Sequence, residues 1–185
     1  MAVVKPQQYT LKDGRKATIR SAKITDAKGV LKQIKSVFAE RKYTAATDDD
    51  MHDLTIKKEK EWINKYIKQP GYLFIVAEVD DRIVGSADLY NGNRKRIQHV
   101  GTVGITVIKD FRRLGLGEAL MKTLLNWALE NPLIEKIALG VFETNKPAIE
   151  LYNKLGFLKE GRKLKEFKLE QDSYVDSILM YKFIK

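Results

Sequence analysis

The stretch from Gly104 to Ala128 constrains this chain more than any other. Ile105 to Ile108 is a short β-branched run suited to a buried strand, while Leu116, Ala119, Leu120, Thr123, Leu124, Trp127 and Ala128 recur at helical spacing along one face. Between them lies an arginine- and glycine-rich turn, Arg112-Arg113-Leu114-Gly115-Leu116-Gly117. A strand feeding through such a turn into a helix leaves backbone N–H groups without intrahelical partners, and they point with the positive end of the helix dipole toward one spot. That spot suits a phosphate. The turn lacks the Gly-Lys-Ser/Thr ending of a P-loop, and Leu120 stands where a dinucleotide fingerprint needs its third glycine or an alanine. Neither nucleotide loop fits.

The flanking sequence supplies further elements in alternation. After a polar leader over residues 1–15, Lys16 to Ile24 reads as a strand, and Asp26 caps a helix with Val30, Ile34, Val37 and Phe38 on one face. Asp48, Asp49 and Asp50 suit the start of a second helix reaching Gln69, which Pro70-Gly71 ends. Tyr72 to Val79 and Arg82 to Tyr90 read as a hairpin turning at Asp80-Asp81. A longer strand, Ile97 to Ile108, contains Gly101 and Gly104; glycine inside a strand marks a loosened edge, a bulge, or a place where a ligand or another backbone comes close.

The helix from Leu116 to Glu130 stops at Asn131-Pro132, and Ile134 to Glu143 supplies the next strand. A helix follows from Lys146 to Leu155, with Pro147 at its start and Gly156 at its end. Two closing strands, Phe157 to Arg162 and Tyr174 to Phe183, flank a charged segment over Lys163 to Asp172. Mixed strands and helices without a repeat or linker indicate one α/β (α+β) domain over residues 1–185.

Composition narrows the chemistry. The chain has no cysteine and two histidines, His52 and His99, neither in a metal-ligand spacing, so no metal is expected. No apolar run approaches the roughly 18 residues of a membrane span, and the N-terminus has no signal-peptide h-region, which makes the cytoplasm the expected location. The net charge of +10 suits a polyanionic ligand or a nucleic-acid surface. The basic clusters at Arg94 to Arg96 and Arg162 to Lys168 lack interleaved aromatics of a nucleic-acid motif, so no nucleic-acid partner is expected.

The wider pattern resembles a known family. Arg-x-x-Gly-x-Gly after an apolar strand, followed by a helix, a strand and Asn145-Lys-Pro-Ala-Ile-Glu-Leu-Tyr-Asn-Lys-Leu-Gly-Phe157, resembles the GCN5-related N-acetyltransferases (GNAT), bacterial type. The resemblance implies a central, mostly antiparallel twisted sheet of about 7 strands flanked by about 4 helices, with an acetyl-CoA core over residues 97–157. It also implies an acyltransferase that moves an acetyl group to a primary amine of a small molecule by direct attack in a ternary complex, and a possible homodimer. The alternatives are a protein N-terminus or lysine as acceptor, or a non-catalytic module that binds CoA or nucleic acid.

In that family pattern the backbone of Ile105, Thr106 and Val107 binds the pantetheine arm. Arg112, Arg113, Leu114, Gly115, Leu116, Gly117 and Glu118 hold the phosphates, and Asn145 lies against the pantetheine or caps its helix. Tyr152 matches the general acid that protonates the departing thiolate. Thr102 stands where many relatives carry a glutamate base, which leaves His99, Asp88, Glu143 or a chain of waters to take the amine's proton. Asp176, with Tyr174, is the residue expected to meet the acceptor.

Overall fold

The computed structural model of the chain describes residues 3–169 and 172–185. In chain order its strands are β1 (Gln7–Thr10), β2 (Lys16–Ser21), β3 (Leu73–Val79), β4 (Arg82–Asn91), β5 (Val100–Val107), β6 (Lys136–Phe142), β7 (Leu158–Lys168) and β8 (Tyr174–Phe183). The helices are α1 (Ala27–Phe38), α2 (Asp48–Asp53), α3 (Ile56–Lys68), α4 (Leu116–Glu130) and α5 (Lys146–Lys154). All eight strands join one sheet in the order β1-β2-β3-β4-β5-β6-β8-β7. Every neighbouring pair is antiparallel except β5 and β6.

The expected sheet is therefore present, with one strand and one helix more than the approximate count. The extra strand is β1, inside the segment read as a polar leader: Tyr9 packs against the core and its hydroxyl pairs with Thr123 Oγ1 of α4 at 2.9 Å. The extra helix arises because the helix expected from Asp48 to Gln69 divides at Leu54-Thr55. Thr47 and Thr55 each accept a backbone N–H as N-caps, so two short helices start where the charge pattern suggested one. The last hairpin is also longer than expected, since β7 runs on to Lys168 through two register shifts.

Two apolar layers cover the sheet. On one face α4 buries Leu116, Leu120, Leu124 and Ala128 against β2 to β5. Each fully buried leucine there contributes about 1.5–3 kcal/mol, so Leu124→Ala would cost about 2–5 kcal/mol. On the other face α1 and α3 bury Val30, Ile63 and Tyr66 against Phe74, Val76 and Ile83. At the β3–β4 turn Asp80 and Asp81 both adopt positive φ, 47° and 57°, matching the hairpin geometry read from the sequence. Among the described residues no helix is long and apolar enough to cross a membrane.

Candidate active site

The sheet opens at its centre. β5 and β6 pair only at Val100, Gly101 and Thr102, opposite Lys136, Ile137 and Ala138. Beyond that point β5 stays with β4 and β6 stays with β8, so Val103 to Val107 have no strand along one edge. The Ile108 N–H donates to the Val84 carbonyl at 3.0 Å. By the two-residue alternation of an antiparallel ladder, the backbone groups of Ile105 and Val107 then face the gap, while those of Thr106 face β4. Of the three residues expected to hold a pantetheine arm, Ile105 and Val107 thus have backbone groups directed into the gap, with the Val107 carbonyl accepting from Arg112.

The turn after β5 is held from both sides. Arg112 donates through Nε to the Val107 carbonyl at 2.8 Å and through both terminal nitrogens to the two Glu40 carboxylate oxygens at 2.6 Å each. Its guanidinium is therefore engaged as a clamp between the turn and the end of α1. From the other side, the Lys12 N–H donates to the Leu114 carbonyl at 3.1 Å, and the Arg15 guanidinium lies 3.9 Å from the Phe111 ring centroid. The supposed leader thus buttresses the turn.

Arg113 adopts φ 61°, a conformation costly for a non-glycine residue and concentrated at functional sites, and its side chain is exposed. Gly115 caps α4 at φ 89°, with no side chain bonded to the first-turn N–H groups. Leu116 is buried, so its side chain belongs to the core and only its backbone is available to a ligand. A Cβ added to Gly117 would meet Leu151 and Ile105 at ordinary contact distances of 3.5 and 3.8 Å. The protein's own packing does not demand glycine there. Glu118 is bridged by Lys122 at 2.8 Å and Lys154 at 2.6 Å, and those hydrogen bonds lower its carboxyl to about 2.

That contact set also places α5 beside the turn: Gly117 of α4, Ile105 of β5 and Leu151 of α5 converge. Tyr152, the next residue, is buried with its ring 5.8 Å from Phe157, and burial pushes its hydroxyl up to about 12. Its hydroxyl has no hydrogen-bond partner within the protein, and the buried side-chain polar atom without a partner among the described residues is Glu59 Oε1. Asn145 accepts from the Ala148 N–H at 3.4 Å as the α5 N-cap, a long bond that leaves its amide nitrogen for other partners.

Across the sheet, on the α1/α3 face, lies a polar group assembled from distant segments. Gln33 bridges Thr106 (3.0 Å) and Ser86 (3.1 Å), and Ser86 and Thr106 pair at 2.9 Å. Next to them Asp88 accepts from the Tyr66 hydroxyl through Oδ2 at 2.8 Å; burial raises its carboxyl to about 6, and the Tyr66 bond partly offsets that rise. Asp88 faces Gly104 across the ladder, and a Cβ at Gly104 would lie 2.6 Å from its Oδ1. Of the meanings open to a glycine inside this strand, close approach is the one found at Gly104.

The other residues singled out in the sequence fall elsewhere. Asp176 accepts from the Lys165 N–H at 2.7 Å through Oδ1 and pairs with Arg162 through Oδ2, fixing the irregular β7–β8 hairpin. Tyr174 is exposed beneath the Lys165 and Lys168 ammonium groups. Glu143 is bonded by Arg162 at 2.6 Å. His99 sits at the closed end of the gap, its carbonyl accepting from Glu135 and Lys136. A cavity of about 650 Å³ separates the Arg41 to Asp49 segment from the Glu166 to Ser173 hairpin. Sequence reasoning missed Gln33, Glu40, Tyr66 and Ser86, whose partners lie 20 to 73 residues away and leave no local signal.

A parted pair of central strands thus has a glycine turn and a helix N-terminus at its mouth and a tyrosine on the following helix. Residues 32–157 match the model of the Acetyltransferase (GNAT) family, and the chain belongs to that family of acyltransferases. It is 33% identical over 119 residues to the L-amino acid N-acetyltransferase AaaT of Escherichia coli, covering 64% of this chain and 73% of that protein. It is also 30% identical over 177 residues to an N-alpha-acetyltransferase of Sulfurisphaera tokodaii, covering 89% of this chain and 93% of that one. The fold matches that of yncA from Salmonella typhimurium, solved with its cofactor acetyl-CoA, at a TM-score of 0.81 and 16% identity over 91% of this chain and 94% of that one.

Proposed function

We propose that this protein transfers the acetyl group of acetyl-CoA to a primary amine of a small molecule, by direct attack in a ternary complex. The observation that carries the reading is the gap beside Ile105 and Val107, flanked by the N-terminus of α4 and by Tyr152. The uncapped N–H groups after Gly115 suit a pyrophosphate, and the absent side chain at Gly117, which the packing does not require, gives such a ligand room to approach. Acetyl-CoA supplies a thioester, whose carbonyl accepts backbone hydrogen bonds as negative charge develops on its oxygen. Ile105 directs its N–H into the gap for that purpose, and Asn145 and the α4 N-terminus steady the rest of the ligand.

Tyr152 gives a proton to the departing sulfur. A hydroxyl held near 12 is protonated throughout the physiological range, as a general acid must be. Its buried ring, packed beside Phe157, fixes it on α5, and its hydroxyl has no partner within the protein. The acceptor approaches from the α1/α3 side of the sheet; the cavity beside the β7–β8 hairpin, within the roughly 300–1,000 Å³ typical of ligand pockets, is lined by none of the residues at the gap.

In a second reading the amine is the N-terminus of a polypeptide; the likeness to the N-alpha-acetyltransferase of Sulfurisphaera tokodaii over 89% of the chain supports it. Thiol release from acetyl-CoA, followed with free amino acids, amino sugars, polyamines and short peptides in parallel, tests both. Turnover with free amines above that with peptides is the expected result. Turnover confined to peptides establishes the second reading, and no turnover with any amine removes both.

A further inference from the structure

Asp88, on β4 opposite Gly104, has one carboxylate oxygen without a partner. Its Oδ2 accepts from Tyr66, whereas Oδ1 has no partner and is not among the buried unpartnered atoms of the described residues. Residues directly opposite in an antiparallel pair normally hold their Cβ atoms about 4.5–5.5 Å apart. Here Oδ1 stands 2.6 Å from where a Gly104 Cβ would be, so the carboxyl leans across β5 toward its unpaired edge, one residue before Ile105. The neighbouring polar groups, Gln33, Ser86 and Thr106, satisfy one another.

Aromatic rings wall the same spot. Tyr66 and Tyr72 have centroids 5.2 Å apart, Tyr72 and Tyr90 6.2 Å apart, and Tyr90 is 42% exposed. An open carboxylate oxygen beside tyrosine faces is a site for a cation. The titratable groups around it are these tyrosines, from α3, the segment before β3, and β4, with Lys65 stacked on Tyr72 at 5.6 Å.

We propose that Asp88, leaning over Gly104 inside this tyrosine wall, seats the acceptor's ammonium group and takes its first proton, an inference that rests on the acetyl-transfer reading above. The ammonium gives one proton to Asp88, which passes it to solvent through Oδ1. The neutral nitrogen then attacks the acetyl carbon; the C–N bond forms and the C–S bond breaks. The second proton lost by nitrogen restores the one that Tyr152 gives to the thiolate. One proton thus reaches solvent and one ends on CoA, which balances the conversion of an ammonium and a thioester into an amide and a thiol.

The amine's own acidity favours one class of acceptor: near pH 7 an α-amine of pKa about 8 is already about one-tenth neutral, whereas a lysine-like amine of pKa about 10.4 is neutral to less than about 0.1%. The favoured acceptor carries an α-amino group, free or at a peptide N-terminus.

The test uses the full chain with acetyl-CoA and three acceptor sets: free L-amino acids, short peptides with a free N-terminus, and Nα-acetyl-lysine. Wild type is expected to acetylate the α-amines at least tenfold better than the lysine side chain, with an acid limb in kcat/KM near pH 6; the first two sets distinguish the source of the α-amine. Asp88→Asn is expected to lower kcat/KM about 100-fold or more at pH 7 and to abolish that limb, with acetyl-CoA affinity within twofold of wild type. Tyr66→Phe keeps the ring but removes a bond that lowers the Asp88 pKa, so the limb should move to higher pH, an effect a merely structural Asp88 does not produce. Asp88→Asn with wild-type kcat/KM and limb overturns the proposal, as does an unmoved limb in Tyr66→Phe should the first variant fail to fold. A wild type that binds acetyl-CoA but acetylates no amine overturns the transfer reading itself.

Discussion

The two faces of the gap are built in opposite ways. On the α4/α5 face the groups proposed to meet acetyl-CoA come from one contiguous run, Ile105 to Glu118, supplemented by a second, Asn145 to Tyr152. On the α1/α3 face Gln33, Tyr66, Ser86, Asp88 and Gly104 come from four elements and meet only through tertiary packing. The first face presents backbone groups whose placement needs a turn, a glycine and a helix start, all of which are local. The second presents side chains whose neighbours are set by the register of β4 on β5 and by the docking of α1 and α3. A donor shared by a whole family can be recognised by a fixed local motif, whereas an acceptor that differs between members calls for a surface that changes one side chain at a time.

Four measurements sharpen or break this contrast, in order of expected effect. Tyr152→Phe should lower kcat by about 100-fold or more while leaving acetyl-CoA affinity within twofold, because the ring's packing survives and only the proton is lost. Unchanged turnover across the pH range would take the acid role away from Tyr152. Gly117→Val should weaken acetyl-CoA binding about tenfold or more in a titration. The side chain has room within the protein, so the melting temperature should fall by no more than about 2–4 °C, the effect of about 1 kcal/mol in a chain of this size.

Glu40→Gln tests whether the faces are mechanically joined. Arg112 ties the turn to the end of α1, and losing one charge of that half-exposed clamp should cost about 1 kcal/mol of stability with a few-fold loss of acetyl-CoA affinity. A variant that loses stability but no affinity would make the clamp a fold element alone. The smallest effect belongs to Asp26, where α1 is pinned to β2. Burial pushes this carboxyl up, but its bonds from Arg20 and the Lys23 N–H more than offset that and leave it below the ordinary carboxylate value. A lowered folded pKa adds stability that is fully present above the unfolded value of about 3.9 and fades as the pH falls through the folded one. Asp26→Asn should therefore be less stable than wild type by about 1 kcal/mol at pH 7 in urea unfolding, with the gap closing below about pH 4.

Much of the fold was legible in the sequence because its signals are local. The α4 boundaries, the Asp80-Asp81 hairpin, the Asn145 cap and the Gly156 stop follow from periodicity, turn chemistry and capping, and the structure has each of them in place. What stayed hidden depends on contacts that composition does not show. Residues 7–10 look like a polar tail yet pair with β2 because Tyr9 reaches Thr123 across the core. Arg112 has the charge for a phosphate contact, but Glu40, 72 positions earlier, occupies its guanidinium. Asp176 stood out in a closing motif, yet its oxygens are committed to Arg162 and Lys165. Asp88 had no motif around it, and only its position opposite Gly104 distinguishes it from any strand aspartate.

The most direct test of the account is a calorimetric titration of acetyl-CoA into three proteins: wild type, Gly117→Val and Asp88→Asn. Saturable one-to-one binding by wild type, at least tenfold weaker in Gly117→Val and unchanged within twofold in Asp88→Asn, is the predicted result. Absence of binding by folded wild type, or equal loss in both variants, would contradict the division of the gap into a donor face and an acceptor face.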